Sequence, residues 1–400
     1  MTQEIKFNFV NCPSRRNQGS EKWVEMLEHN PNVGKDTVPM SVADMEFEAD
    51  PKIYQGLIDF LKEKPVLGYT YAYQDYKDAV INWQKTEHNF DIKSDWIVST
   101  PGVVNAFTAA IKAFSKEGQG VIINKPVYYP MPIAIHNTKR KEINVPLINN
   151  NGYYHFDFEG FEKACRDNNN KIFLFCSPHN PTGRVWKKEE LERIGKICLE
   201  NDITIISDEI WNDIIMPGYE HYVLANLSDE IREITLTCTA ASKTFNLAGL
   251  ATSNIIVPNH DMRKKFKKEL WRMRSSAVNI LGYKATEVAY NNSKDWKNEM
   301  IKVVASNREI CKNFFESRGF KVTDSESTFL VWVDFSSINL DKNRLEKFLR
   351  DAEIYTDEGY IFGDEGIGYE RFNIGLGQEQ LIKQLKRLDE ALKKLNNRRS

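Results

Sequence analysis

The sequence lacks several features that would assign it to a specialised class of protein. No apolar run approaches the roughly 20 residues of a membrane span, and the opening stretch MTQEIKFNFV has no apolar core of signal-peptide length. The six cysteines form no CxxC pair, and the seven histidines form no HxH or HxxxH pair. We therefore expect reduced thiols in a cytoplasmic protein, without a disulfide framework and without a metal site.

An excess of charge of one sign is absent as well. The chain has 54 basic and 56 acidic residues and a formal net charge of −2, so we expect neither nucleic acid nor an anionic membrane as a partner. The densest basic run, RKKFKKELWRMR at 263–274, has two interpretations. It is the solvated face of a helix with Phe266, Leu270 and Met273 pointing inward, or it contacts phosphate groups.

What is present is an alternation of short apolar runs with helix-like segments. The 400 residues exceed one compact core of ordinary size, so we expect two domains, or a large domain with a smaller one. The predicted strands lie at 96–100, 120–124, 171–177, 203–207, 234–238 and 253–257. Continuous apolar strands separated by helices are typical of a largely parallel sheet covered on both faces, which predicts a large α/β domain over 45–285.

The C-terminal part of the chain has a different pattern. A strand is predicted at 328–335 between helix-like segments. The leucines at 381, 385, 388 and 392 form one stripe of an amphipathic helix close to the end of the chain. Residues 286–400 are therefore predicted to form a smaller α+β domain.

The residues just after the predicted strands matter most for function, because open α/β sheets bind ligands at the carboxyl ends of their strands. These segments read TPGVV, KPVYYP, SPHNPTG, SDEIW and TAASK. Taken singly, each has a simple structural interpretation, such as a turn, a helix cap, an ion pair or a lysine that reaches solvent. Together they offer amides at a helix start, a tyrosine, an asparagine, an acid and a lysine, which is the set that pyridoxal 5'-phosphate (PLP) requires.

The lysine of TAASK, Lys243, stands out because no residue within four positions of it carries a charge. An ion pair would hold a lysine protonated, whereas a desolvated setting lowers its pKa and leaves the amine free to react with an aldehyde. The acid of SDEIW, Asp208, would keep the pyridine nitrogen of the cofactor protonated, so that the ring withdraws electrons. An aromatic side chain would stack on the ring.

In the order and spacing of SPHNPTG, SDEIW, SKTFNLAGL and ERFNIG, the chain resembles the PLP-dependent enzymes of fold type I, in the aminotransferase class I/II superfamily. The resemblance covers nearly the whole chain and implies the PLP-dependent transferase fold. It implies that Lys243 binds the cofactor covalently, that Asp208 pairs with the pyridine nitrogen and that Asn180 bonds the ring hydroxyl. It also implies that Tyr128 stacks on the ring, that the amides of Gly102, Val103 and Val104 hold the phosphate, and that Arg371 binds the substrate α-carboxylate.

A narrower resemblance concerns GSEKW, SVADMEF and GYT, which are similar to motifs of the cystathionine β-lyase branch, the MalY/PatB type of C–S lyase. This resemblance implies β-elimination of a thiol from cystathionine or a cysteine S-conjugate, with release of pyruvate and ammonia. It implies a homodimer in which Tyr69 reaches the phosphate of the other subunit's cofactor, and an N-terminal segment, 1–44, that joins the small domain. Two other functions stay open: a class I/II aminotransferase, and a non-catalytic binding or regulatory protein on the same fold.

The sequence departs from the superfamily pattern at several positions. The arginine that commonly follows the lysine and binds the phosphate is replaced by Ala251, and the serine that commonly precedes the lysine is replaced by Ala240. The remaining candidates for a hydroxyl group that binds the phosphate are Ser242 and Thr239. The tyrosine that commonly follows the acid is replaced by Trp211, which is predicted to lie against the cofactor.

Overall fold

The computed structural model describes residues 7–10 and 12–397. The strands are β1 Ile97–Thr100, β2 Gly120–Ile123, β3 Lys141–Asn144, β4 Ile148–Asn150, β5 Tyr153–His155, β6 Asn170–Cys176, β7 Thr204–Asp208, β8 Thr235–Thr239, β9 Ser253–Ile256, β10 Lys321–Val322, β11 Leu330–Asp334, β12 Asp357–Glu358 and β13 Tyr369–Asn373. The α-helices are α1 Glu21–His29, α2 Pro51–Glu63, α3 Gln74–His88, α4 Val103–Phe114, α5 Pro130–Asn137, α6 Phe158–Cys165, α7 Lys188–Glu200, α8 Asp229–Glu233, α9 Ala241–Thr244, α10 His260–Arg272, α11 Ile280–Asn292, α12 Lys294–Glu316, α13 Lys342–Asp351 and α14 Gln378–Asn397.

Seven strands form one sheet in the order β1-β9-β8-β7-β6-β2-β3. Neighbouring strands are parallel except around β9, which is antiparallel to both β1 and β8. The six strands predicted for the large domain all lie in this sheet, and the predicted α/β fold with a largely parallel sheet is confirmed. The prediction misses β3, because this edge strand, KEIN, is polar and partly exposed.

Helices cover both faces of this sheet, and each face has its own core. On one face α4, α5 and α10 pack over a core that includes Leu174. On the other face α6, α7 and α8 pack over a core that includes Phe173 and Phe175. Because successive side chains of a strand point to opposite faces, β6 is buried on both sides and reads as a continuous apolar run.

The basic run at 263–274 forms most of α10, as the first of its two interpretations predicts. Phe266 and Leu270 are buried in the core, and Met273 packs against that core from the end of the helix. The guanidinium of Arg263 is held by the backbone carbonyls of Val257 and Pro258, each at 2.7 Å.

A second sheet of four antiparallel strands has the order β10-β11-β13-β12 and packs with α12, α13 and α14. The four predicted leucines are buried along one side of α14, so the smaller α+β unit is confirmed as part of the fold. The boundaries at 45 and 286 stay a prediction, and residue 286 lies inside α11, which packs against α2 and α3. Among residues 7–10 and 12–397, no helix combines the length and apolar composition needed to cross a membrane.

The segment before α2 runs beside the second sheet. The amide of Met40 donates to the carbonyl of Tyr355 at 2.7 Å, and its own carbonyl accepts from the amide of Asn373 in β13 at 2.8 Å. A few residues later, the amide of Glu46 donates to the carbonyl of Gly375 at 2.8 Å. These bonds place the residues between Met40 and Glu46 beside β13, where Arg371 lies.

Candidate active site

A cavity lies at the carboxyl edge of the large sheet, where β1, β2, β6, β7 and β8 end. It is lined by nine of the predicted site residues: Gly102, Val103, Val104, Tyr128, Asn180, Asp208, Trp211, Ser242 and Lys243. The parallel strands explain the gathering, because their carboxyl ends meet at one edge although the residues are far apart in the chain. Two predicted residues, Tyr69 and Arg371, do not line this cavity of their own chain.

Lys243 lies in α9, the short helix that follows β8. Its Nζ donates a hydrogen bond to the carbonyl of Ala43 at 2.7 Å and lies 5.6 Å from the ring centre of Trp211. Burial, with the nearby charge of Arg371 as the next cause, lowers the pKa of Lys243 to about 8. A lysine with this pKa has an appreciable fraction of uncharged amine near neutral pH, and the uncharged form acts as a nucleophile or a base.

Asp208 is the last residue of β7 and is 2% exposed. One carboxylate oxygen, Oδ1, accepts from the amide of Ile210 at 3.3 Å, and the side chain forms no ion pair with the described residues. Burial raises the pKa of Asp208 to about 7, against the opposing effects of the Ile210 amide and of the Lys243 charge. A buried carboxyl group in this setting needs a cationic or N–H partner to ionise fully.

The start of α4 leaves room for a ligand. Gly102 precedes the helix with φ of +100°, and an added Cβ there would meet open space. The first amides of a helix have no intrahelical acceptor, so they are free to donate to an anion placed in this space.

Sequence reasoning missed a hydroxyl in the same cavity. Ser253 lines it, and its buried Oγ has no hydrogen-bond partner among the described residues. Because β9 is antiparallel, its first residue, Ser253, pairs with Thr100 at the edge where the parallel strands end. Of the two hydroxyls suggested by the sequence, Ser242 lines the cavity, whereas Thr239 donates to the carbonyl of Asn254 at 3.0 Å and lies outside it.

Two aromatic side chains bound the cavity. Trp211 is buried and packs edge-on against Phe329, with ring centres 4.8 Å apart. Tyr128 is partly exposed to the cavity, and its amide donates to the carbonyl of Asn180 at 3.1 Å. The tyrosine and the asparagine are therefore held beside each other by the backbone.

Arg371 does not line the cavity itself, but it contacts Asn180, which does. It is 2% exposed, and its Nη1 donates to Oδ1 of Asn180 at 2.9 Å. Its Nε and Nη2 donate to one oxygen, Oδ2, of Asp357 at 3.1 and 2.6 Å. Sequence reasoning missed Asp357, whose signal is weak because β12 has two residues, although the structure pairs it directly with Arg371 across the strands.

Tyr69 is fully exposed and belongs to an apolar surface. The large apolar side chains exposed there, which we call the α2 surface, are Tyr54, Ile58, Leu61, Val66, Leu67, Tyr69 and Tyr71. These exposed apolar residues lie close together in the chain, between positions 54 and 71, and a concentration of exposed apolar side chains is typical of a protein–protein interface.

The motifs GSEKW and SVADMEF contact each other next to Ala43, which lines the cavity. Lys22 is buried, and its ammonium lies 3.0 Å from a carboxylate oxygen of Asp44 and 2.7 Å from one of Glu46. The indole of Trp23 donates to the other oxygen of Glu46 at 3.1 Å. The segment that these bonds fix includes Ala43, whose carbonyl accepts from Lys243.

Loss of this network should destabilise the fold. Lys22→Ala leaves the buried carboxylate of Glu46 with one fewer cation, so we expect the free energy of unfolding to fall by about 3 kcal/mol. Urea denaturation of the purified protein measures this change. The control Lys116→Ala removes an exposed lysine and should change stability by less than about 0.5 kcal/mol; equal losses for both variants would contradict a structural role for Lys22.

The chain belongs to the aminotransferase class I and II family, whose model matches residues 35–388. The cystathionine beta-lyase PatB of Bacillus subtilis (strain 168) is 35% identical over 360 residues, which cover 89% of this chain and 93% of that protein. The protein MalY of Escherichia coli (strain K12) is 29% identical over 365 residues, which cover 90% and 92%. The crystal structure of cystalysin from Treponema denticola, which contains a PLP cofactor, has a TM-score of 0.96 and 46% identity, and the match covers 98% of this chain and 100% of that one. The predicted family and the PLP-dependent transferase fold are thus confirmed.

Proposed function

We propose that the protein is a PLP-dependent C–S lyase that eliminates a thiol from cystathionine or from a cysteine S-conjugate. One observation carries the proposal: the same cavity contains a buried acid, Asp208, without a cationic partner among the described residues, and a lysine, Lys243, whose pKa is lowered. The similarity to a cystathionine beta-lyase and to a PLP-containing structure supports this reaction class.

The residues present fit the cofactor. The protonated pyridine nitrogen would supply the partner that buried Asp208 lacks. The phosphate would take the open space beside Gly102, with the first amides of α4 and the unpaired hydroxyl of Ser253 as donors. Ser242 would be a further donor to the phosphate. The position of the other residues that line the cavity supports their predicted roles: Tyr128 would stack on the ring face, Asn180 would bond the ring hydroxyl, and Trp211 would lie against the cofactor.

When bound, PLP supplies an electron-withdrawing ring that stabilises negative charge at the substrate Cα. Arg371 orients the substrate through its α-carboxylate, using N–H groups that Asn180 and Asp357 leave free. Lys243 would hold the cofactor, and its free amine would take the proton from the substrate Cα as a general base. The bond from Cβ to sulfur then breaks, and with one water the products are the thiol, pyruvate and ammonia.

The second candidate function is transamination, which the family name favours. Both reactions use Lys243 to remove the same proton, and they differ in where the proton is returned. The two are separated by the need for a ketoacid acceptor. A lyase should release pyruvate from L-cystathionine at the same rate with and without added 2-oxoglutarate, whereas strict dependence on the ketoacid would contradict the proposal.

The proposed assembly is a homodimer that buries the α2 surface. Tyr69 does not line the cavity of its own chain and is fully exposed, which is the placement expected of a residue that serves a neighbouring subunit. The six cysteines are free, which supports a reducing compartment and hence the cytoplasm. The proposal also includes the domain boundaries: the large domain begins at residue 45, the small domain begins at residue 286, and residues 1–44 join the small domain.

Mixed dimers test whether Tyr69 acts across the interface. Lys243→Ala and Tyr69→Ala homodimers should each have low activity, and their hybrid should regain one complete site, because it combines a native Lys243 with the other subunit's native Tyr69. We expect activity to rise at least about tenfold on subunit exchange, against a control mixture of two Lys243→Ala preparations. Exchange without recovery, verified by tagged subunits, would contradict the shared site.

The lowered pKa of Lys243 predicts a pH dependence of cofactor binding. Because the amine is uncharged above its pKa, the rate at which PLP associates with cofactor-free protein should rise with pH around 8. Arg371→Gln removes the positive charge that lowers this pKa, so the midpoint should move to higher pH. Stopped-flow absorbance of the bound cofactor measures both profiles, and a midpoint that stays or falls in Arg371→Gln would contradict this electrostatic account.

A further inference from the structure

The proposed substrate anchor, Arg371, is paired with a buried acid. Asp357 is 9% exposed and accepts from Nε and Nη2 of Arg371 through Oδ2, which leaves Oδ1 without a contact to the guanidinium. The ion pair makes this part of the site close to electrically neutral before any substrate binds. A guanidinium with five N–H groups still has donors left for a carboxylate, so Asp357 does not block the anchor.

Asp357 also lines a second cavity that adjoins the first. Two pairs of chain neighbours are divided between the cavities: Ala43 lines the first and Val42 the second, and Tyr128 lines the first and Tyr129 the second. Arg371 links the two cavities, because it bonds Asn180 of the first and Asp357 of the second. A side chain that extends from a carboxylate held at Arg371 therefore has the second cavity within reach.

The charge of this second cavity is predominantly negative. Its acidic lining residues are Glu21, Glu25, Glu346, Asp357, Glu358 and Glu370. Burial raises the pKa of Glu370 well above its ordinary value, so the negative charge is assigned to the other five. Its two long basic side chains are already paired, Lys22 with Asp44 and Glu46, and Arg350 with Glu346 and Glu358. His29 is exposed at its rim. Burial, followed by the charges of Glu21 and Asp357, raises the pKa of Glu25 above its ordinary value, as expected where negative charge is not fully balanced.

We propose that Asp357 is a specificity-determining residue, which favours amino acids whose thiol substituent ends in a cationic or neutral group and disfavours those that end in a carboxylate. The inference rests on the proposed lyase function and names the substrate class within it. A second substrate carboxylate would meet Asp357 without a free cation beside it, whereas an ammonium group would gain an attractive partner. A site that binds dicarboxylic amino acids needs a second free cation for the second carboxylate, so this charge preference distinguishes the present site from such a site.

Three cysteine conjugates of matched length test the preference. S-(2-aminoethyl)-, S-propyl- and S-(2-carboxyethyl)-L-cysteine differ only in the terminal group, which is an ammonium, a methyl or a carboxylate. For the holoenzyme we expect kcat/KM for pyruvate release to be highest for the aminoethyl and lowest for the carboxyethyl conjugate, with about tenfold or more between them. Equal values for the three conjugates would overturn the inference and leave the lyase function standing.

The variant Asp357→Asn separates charge from positioning. Asparagine Oδ1 accepts from Nε and Nη2 as the aspartate does, so Arg371 stays oriented while the negative charge is lost. We expect the aminoethyl to carboxyethyl ratio to fall at least about fivefold, chiefly through a lower KM for the carboxyethyl conjugate, whatever the change in kcat/KM that the propyl conjugate shows. An equal loss for all three conjugates would show that Asp357 only positions Arg371, and would overturn the inference.

Two controls make the outcomes distinct. Asp351→Asn makes the same chemical change at an exposed position of α13 and should leave the ratio unchanged; an equal change there would contradict a local effect of Asp357. Calorimetry on the holoenzyme with hexanoate, 5-aminopentanoate and adipate tests the same charge preference without turnover, and tighter binding of adipate than of 5-aminopentanoate would overturn the inference. Failure of wild type to release pyruvate from the propyl conjugate would instead contradict the proposed function.

Discussion

The Lys243→Ala variant is expected to lose turnover by at least about 10⁴-fold, because in the proposed mechanism one side chain both holds the cofactor and removes the substrate proton. Two features of the structure support this proposal: the amine of Lys243 lies at the carboxyl edge of the sheet, and burial lowers its pKa to about 8. The measurements are pyruvate release from L-cystathionine and the visible absorbance of the covalently held cofactor, and both should be lost together.

A matched control separates this effect from general damage. Lys163→Ala removes an exposed lysine of α6 and should keep both the turnover and the absorbance. Full turnover in Lys243→Ala would contradict the assignment of the catalytic lysine. A wild-type protein that never acquires the absorbance with added PLP would instead favour the non-catalytic binding protein.

The Asp208→Asn variant should reduce kcat/KM by about 10²–10³-fold, which is the size of effect seen when one preorganised electrostatic partner of a reacting group is removed. A neutral amide cannot hold the pyridine nitrogen protonated, so the ring withdraws electrons less strongly. In contrast to Lys243→Ala, this variant retains the amine that holds the cofactor, and its visible absorbance should persist with an altered maximum.

Replacement by glutamate tests whether charge is the property that matters at position 208. Asp208→Glu keeps the carboxylate and should retain more activity than Asp208→Asn, although the longer side chain must fit a buried position. Turnover of Asp208→Asn within about threefold of wild type would show that the carboxylate has no electrostatic role in the reaction.

The sequence was sufficient for the residues that follow parallel strands. Asp208 ends β7, and Asn180 and Lys243 each lie four residues after the end of a buried strand. The geometry of a parallel sheet brings such positions to one edge. This logic depends on strand direction. It missed Ser253, because an apolar run does not reveal that β9 is antiparallel and that its beginning, rather than its end, lies at the cavity.

Contacts between distant segments were not predictable from local patterns. Asp357 lies in a two-residue strand and gives no periodic signal, yet it is the ion-pair partner of Arg371. The motif around Lys22 was recognised through resemblance, but its pairing with Asp44 and Glu46 depends on the path of the chain beside β13. The proposed role of Tyr69 depends on a second subunit, whose position does not follow from the structure of a single chain.

The central claim is that the site breaks a carbon–sulfur bond, and counting products tests it most directly. Purified, cofactor-loaded protein is incubated with L-cystathionine and no ketoacid, and pyruvate and homocysteine are counted against the concentration of active sites. The account predicts equal amounts of both products over many turnovers for each site. A cofactor-bearing protein that releases neither product, or that forms one equivalent of the ketoacid of cystathionine with the amino group retained on the enzyme, would contradict it.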